Sequence, residues 1–421
     1  MHPLVHSWLR DRMDPDSYRT NFRLARAILF YSFFPKYNDV DSERFYRALL
    51  PHMEMNNSFM PKDDSSRALS IEEVVDQNAI YTMILKRSHR WEEMIPPIQQ
   101  SILYLSHEFG LNATRTISSL LELGKVYMAA GRIDDAVSEY NKVLERASSW
   151  DDRNPVMEYV LDAESEFAMV HLLRGEHVSA QILARHALDM AEKCGVEPQA
   201  HRARLCLVYQ YQSMWEEAGE LAELVLELRM SLRQRGPEHY KTLKTVAELA
   251  RIRAQQGRTY EAIRDLTDVT VKLEKMLGPH DRNAVAAKSD LAWVYYLQGG
   301  DRLEKAEELQ REALRRGRLE LGDRHPYTLL MVMRLGLTVG ERGRFNEANG
   351  LLDECKRGRS AVLGPKHVAT VGAGAAMALF TCKRKGKEWM ESKGYTQEDV
   401  EWFEDMKRRA EFPYMYVRSL G

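Results

Sequence analysis

LLELGKVYMAAGRIDDAVSEY, residues 120–140, carries apolar residues at helical spacing on both sides of Gly131. It reads as a helix, a glycine turn and a second helix. The same reading fits AELARIRAQQGRTYEAIRDL at 247–266, SDLAWVYYLQGGDRLEKAEEL at 289–309 and RLGLTVGERGRFNEANGLL at 334–352. An alanine near the start of each second helix recurs as Ala136, Ala180, Ala218, Ala262, Ala306 and Ala348, with gaps of 44, 38, 44, 44 and 42 residues. A second column is always small: Gly124, Ala168, Cys206, Ala250, Ala292, Gly336 and Ala378. The residue before it is always large and apolar: Leu123, Phe167, Leu205, Leu249, Leu291, Leu335 and Met377. The turn column is Gly131, Gly175, Ser213, Gly257, Gly299 and Gly343, with Gly386 one residue late. Small residues let two helices approach, their large neighbours fill the seam, and a turn glycine accepts a left-handed backbone. The expected fold is therefore an all-α, right-handed α-solenoid of about six to seven repeats.

Composition agrees. The 421 residues are 44% hydrophobic and 29% charged, as a full core under a solvated surface requires. The formal net charge of −2 gives no global electrostatic case for nucleic acid or an anionic membrane. No apolar run approaches the roughly 20 residues that span a bilayer. Four cysteines, at 194, 206, 355 and 382, form no CxxC pair. Reduced thiols in the cytoplasm are the expectation.

The repeats resemble tetratricopeptide repeats of the kinesin-light-chain type, whose unit of about 42 residues is longer than the standard one of about 34. The resemblance rests on the columns above and on four inter-repeat loops. These are RGPEHYKTL at 235–243, LGPHDRNAV at 277–285, LGDRHPYTL at 321–329 and LGPKHVATV at 363–371. Upstream, Trp91-Glu92-Glu93-Met94 matches Trp215-Glu216-Glu217-Ala218, placing a degenerate first unit at about 71–106. The array spans 71–385, and 386–421 follow as a capping helix and tail. Thr396 and Asp399 predict a capping box for a helix over about 397–411.

Residues 1–53 form a short helical region, and 54–70 read as a linker. MHPLVHSWLRDRM, at 1–13, has the apolar spacing of a helix face and lacks the features of a secretory signal. Helical patterns follow at 17–34 and 41–53, with Asp41 placed to cap the second. This order resembles the stretch after the winged helix in fungal and bacterial NLR-like signalling ATPases with NB-ARC or NACHT modules. The matching residues are His2, Leu4, Val5, Trp8 and Arg10, then Ala27, Ile28, Leu29, Phe34 and Pro35, then Arg47, Leu49, Leu50, Pro51 and His52. The resemblance implies a sensor arm. The sequence has no GxxxxGK[ST] phosphate loop. Leu4, Val5 and Trp8 are expected to dock on the two helices that follow, or to belong to a longer chain.

No catalytic constellation emerges, so the expectation is a non-enzyme without cofactor or metal. His107-Glu108 lacks the second histidine of HExxH, and there is no GxSxG or GxGxxG. The loop histidines His239, His325 and His367 recur one repeat apart, roughly 20 Å, too far to share a metal. They read as loop hydrogen bonding and packing. His2 and His6 form an i, i+4 pair without a third ligand. Acidic pairs such as Asp134-Asp135 and Glu216-Glu217 suit helix N-termini. The basic clusters Arg311, Arg315, Arg316 and Arg318, Lys356, Arg357 and Arg359, and Lys383, Arg384, Lys385 and Lys387 read as solvated faces, with contact to an anionic partner as the alternative.

In tetratricopeptide arrays the first helices line the concave groove, and the resemblance implies peptide recognition there by an asparagine. That column here reads Glu122, Glu166, Arg204, Glu248, Asp290, Arg334 and Ala376. It admits two readings. Glu122, Glu166, Glu248 and Asp290 grip a protein or peptide with a basic stretch, or the charges satisfy neighbours such as Arg251 and Lys288. The function expected is a protein-interaction scaffold or recognition arm. A kinesin-light-chain-like cargo adaptor is the alternative, though no sustained heptad segment is present for a coiled coil. An enzyme built on the array is the alternative of another class.

Overall fold

The computed structural model describes residues 14, 17, 20–21, 24–25, 27–29, 48–56, 70–87, 90–147, 156–174, 176–231, 236–365, 368–392 and 396–401. Trp8, Asp41, His367, most of the capping helix after 401 and the aromatic tail lie outside the described residues. Every regular element among the described residues is an α-helix. None of those helices is long and apolar enough to cross a membrane. The chain divides into two compact units, Met1–Val126 and Tyr127–Gly421.

In the first unit, residues 48–56 are helical and bury Leu49, Leu50 and Met53. α1 (Ile71–Arg87) and α2 (Trp91–Phe109) then pack together as a helix pair. Met94 is buried where later units have alanine. A capping box that sequence reading missed starts α1. The Glu73 N–H donates to Ser70 Oγ at 3.2 Å, and the Ser70 N–H donates to Glu73 Oε2 at 2.7 Å. Pro96 and Pro97 stand inside α2 and remove two helical donors. Asn78 Nδ2 on α1 reaches across to Pro97 O at 3.1 Å and to Ser101 Oγ at 3.2 Å. The two units divide within the next helix, α3 (Thr114–Ala129).

The second unit continues with α4 (Ile133–Ala147), α5 (Met157–Leu173), α6 (His177–Cys194), α7 (Gln199–Tyr211) and α8 (Trp215–Ser231). Then come α9 (Tyr240–Gln255), α10 (Thr259–Leu277), α11 (Arg282–Gln298) and α12 (Arg302–Leu321). α13 (Pro326–Glu341), α14 (Phe345–Leu363), α15 (Val368–Lys385) and the short α16 (Lys387–Ser392) complete it. From α4 to α16 each helix packs on the next. The first helices of successive repeats also touch, α5 on α7, α9 on α11, α11 on α13 and α13 on α15, while the approach of α7 to α9 is thinner. All six column alanines, on α4, α6, α8, α10, α12 and α14, are 0% exposed. Their bare Cβ atoms are what let each second helix seat against its neighbours.

The core is shared out between neighbouring repeats. Leu243, Ala250, Ala262, Leu266, Leu273 and Leu291 form one cluster spanning α9 to α11. Trp293, Leu335, Ala348, Leu352, Cys355 and Phe380 belong to another, spanning α11 to α15. A Cβ on Gly340 would lie 2.3 Å from the Phe380 ring, which measures how closely α13 and α15 approach. Polar side chains also enter the core. Gln310 on α12 is buried where Leu266 and Leu352 stand in neighbouring units, and neither end of its amide has a hydrogen-bond partner. Beyond α16, the predicted Thr396–Asp399 capping box is present. The Asp399 N–H donates to Thr396 Oγ1 at 3.2 Å, and the Thr396 N–H donates to Asp399 Oδ2 at 2.6 Å.

The turn column behaves as its residues require. Gly131, Gly257, Gly299, Gly343 and Gly386 all have positive φ. Ser213 takes the same left-handed backbone, with φ 60°, and is the only described non-glycine residue to do so. A Cβ in that region costs about 1–2 kcal/mol. Ser213→Gly is therefore expected to stabilise the fold by about 1 kcal/mol, and Gly257→Ser to destabilise it by a similar amount. Urea midpoints of the two variants, compared with wild type, check the opposite signs.

Candidate functional site

The first-helix column lies where successive first helices meet, and most of its charges already have partners. In the first unit, Glu122 on α3 accepts from Lys86 Nζ on α1 at 3.3 Å, and both side chains stay about one-third exposed. In the second unit, Glu166 on α5 is buried and accepts from Arg204 Nη2 on α7 at 2.6 Å. Asp290 on α11 and Arg334 on α13 are each 1% exposed, with Arg334 Nη1 donating to Asp290 Oδ1 at 3.0 Å. The same nitrogen donates to Ser289 Oγ at 3.0 Å, and the guanidinium lies 5.2 Å from the Trp293 ring. Trp293 in turn stacks on Tyr296 at 4.4 Å. Ala376 on α15 is buried.

Two column arginines therefore neutralise the column acids one repeat before them. The spacing was visible in the sequence: Glu166 precedes Arg204 by 38 residues, and Asp290 precedes Arg334 by 44. Arg251 on α9 also approaches Asp290, with Nε 3.9 Å from Oδ2. Lys288 turns elsewhere. It pairs with Glu274 of α10 at 2.8 Å and Glu312 of α12 at 3.3 Å, and Arg316 joins Glu274 at 2.6 Å. Burial acts against the Glu274 carboxylate, but Lys288 and Arg316 hold its pKa below the usual value.

Glu248 is the exception. It is half-buried on α9, and its carboxylate makes no ion pair or hydrogen bond with the described residues. It faces α7, where its charge acts on the Cys206 thiol. Burial pushes that thiol's pKa up, Glu248 adds to the rise, and Arg251 opposes it.

The basic clusters are less solvated than expected. Arg359 is completely buried on α14, where Nη1 donates to Ala369 O at 2.8 Å. Its long side chain crosses to α15, so one position of the supposed outer face is interior. Arg311 and Arg318 pair with Glu347 and Glu354 of α14. Glu307, nearly buried on α12, accepts from Arg344, Arg311 and Arg342. Burial alone would raise its pKa, and the three guanidiniums outweigh that and bring it down to about 2.

Of the loop histidines, His325 acts as a cap and His239 as packing. His325 precedes α13, and its Nδ1 accepts from the Tyr327 N–H at 3.0 Å. One repeat earlier, Asp281 holds the same place and accepts from the Asn283 N–H at 2.7 Å. His239 packs its ring 4.8 Å from that of Tyr240. Burial, aided by Arg282, brings the His325 pKa down to about 4.

A family model described as tetratricopeptide repeat matches residues 285–327 and 328–369, two consecutive units from α11 to the start of α15. The chain thus carries tetratricopeptide repeats. No curated protein sequence matches it. Among solved structures, it is similar to a Rap protein complexed with competence and sporulation factor, at 11% identity and TM-score 0.52, covering 83% of this chain and 96% of that one. That likeness bears on the fold. It is similar also to nearly identical repeats from a Podosopora anserina protein described as a kinesin light chain, at 24% identity and TM-score 0.36, over 48% of this chain and 95% of that one. A signal transduction ATPase with a tetratricopeptide repeat sensor from Pyrococcus horikoshii aligns at 13% identity and TM-score 0.48, over 97% of this chain and 55% of that one. At these TM-scores the last two carry no argument.

Two outcomes follow from the geometry. Asp290→Asn strands the Arg334 charge in the core and is expected to cost about 3–5 kcal/mol. Glu248→Gln removes an unpaired carboxylate and should leave the urea midpoint within error of wild type.

His325 gives a pH dependence. A folded-state pKa near 4, against an ordinary value of 6.5, means the neutral cap contributes fully above 6.5. That contribution falls away as pH drops from 6.5 towards 4. Between pH 7 and 4.5 wild type should lose about 2 kcal/mol more than His325→Asn, whose amide caps without titrating. Equal losses in the two proteins would contradict this.

Proposed function

We propose that this chain is a non-catalytic recognition arm that binds a protein or peptide along the face shared by its first helices. The observation that carries the reading is that the first helices α5, α7, α9, α11, α13 and α15 recur along one array, with Glu248 on α9 half-buried and without an ion pair among the described residues. Such an array offers an extended surface rather than a closed reaction site. The Rap likeness adds a fold of this kind in complex with a bound factor.

The partner chemistry that fits is basic, with Glu248 as the contact the second unit leaves unsatisfied. The more exposed Glu122 offers a like charge in the first unit. Of the finer readings, the sensor arm of an NLR-like ATPase draws its support from the order of motifs in residues 1–53. A kinesin-light-chain-like adaptor draws on the repeat length and on the LGP-type loops. Either places the chain in the cytoplasm.

The test is affinity capture from the source cell with wild type and with the double variant Glu122→Gln, Glu248→Gln. Both sites are partly exposed, so the variant should fold as wild type does. A partner is expected to be retained by wild type and lost from the variant. The same captured proteins at the same yield with both would remove this reading.

A further inference from the structure

Resting on that reading, we infer that recognition in the second unit centres on α9 and needs one basic side chain of an extended peptide, seated on Glu248 with a main-chain carbonyl on Arg251. Along the column, Glu166 is closed off by Arg204 and Asp290 by Arg334. Desolvated pairs of this kind do not open to exchange partners without leaving a buried charge behind. A run of lysines or arginines would therefore find its acids already taken.

α9 is different. Glu248 and Arg251 stand three residues apart on one face of the helix, one turn after the other. Glu248 has acceptor capacity and no donor among the described residues. The Arg251 side chain is 12% exposed. Its Nε is buried without a hydrogen bond, and the Asp290 carboxylate lies at ion-pair rather than hydrogen-bond distance.

An acceptor and a fork of donors at this spacing complement an ammonium or guanidinium followed by a peptide carbonyl. Glu248 would take the charge-assisted bonds from the side chain, and Arg251 would donate to the backbone. One ion pair of this kind makes binding weakly dependent on salt, whereas a basic stretch would make it strongly so.

The experiment selects a random displayed peptide library on the full chain. The selected peptides are then titrated against wild type, Glu248→Gln, Arg251→Gln and Glu248→Lys. Glu220→Gln, on the exposed face of α8, serves as the control. The selected peptides should share one lysine or arginine. Their affinity should fall about tenfold with Glu248→Gln and be unchanged with Glu220→Gln. Selection on Glu248→Lys should exchange that residue for aspartate or glutamate, an outcome that loss of folding could not imitate. Peptides that bind Glu248→Gln and Arg251→Gln as tightly as wild type would overturn the inference and leave the recognition reading standing. A library that yields no binder would remove both.

Discussion

The seating of each second helix from α4 to α14 against an alanine is the constraint from which the rest follows. At Ala136, Ala180, Ala218, Ala262, Ala306 and Ala348 nothing of the side chain reaches solvent. A larger residue would push the helices apart, at about 1–3 kcal/mol for each overpacked site. With that spacing set, the turn before a second helix has to reverse the chain within a few residues, and the backbone is left-handed at Gly131, Ser213, Gly257, Gly299 and Gly343. The first helices are then brought side by side. Only because they are does a charge on one repeat meet a charge on the next.

Those charges divide into two kinds. Asp290 and Arg334 sit inside the array, with Ser289 and Trp293 completing their surroundings. A pair so buried adds little over an apolar pair of the same volume, yet neither half can be removed alone without a large loss. Glu307 shows the same logic nearer the surface, where three arginines hold one carboxylate ionised far into acid. Glu248 belongs to the other kind. Its freedom is a property of α9, because Arg204 is committed to Glu166 and Arg251 leans towards Asp290.

The fold was legible because its determinants are local and steric. Ala262, Gly257 and Leu249 declare their roles through size alone, and size repeats with the chain. Met94 could be matched to the alanine column although it is large, because Trp91-Glu92-Glu93 preceded it. The candidate site was legible only as a column of residues. Which acid meets which base depends on how one helix is rotated against the next, and residue spacing does not carry that. Lys288 was within sequence reach of Asp290 and went instead to Glu274 and Glu312. Arg359 looked like one of several surface arginines until its side chain was found capping the Ala369 carbonyl. The alternation of acid and base one repeat apart, Glu166 with Arg204 and Asp290 with Arg334, was the signal that could have revealed the pairing.

The thin junction between α7 and α9 also has a mechanical meaning. A stack of repeats bends where adjoining layers grip least, since each layer holds only its neighbours. Column ion pairs clamp α5 to α7 and α11 to α13, and α9 reaches α11 through Arg251. No such clamp joins α7 to α9 among the described residues, and the strained turn at Ser213 belongs to the same repeat as α7. The junction of α7 with α9 is therefore carried mainly by α8, which packs on both.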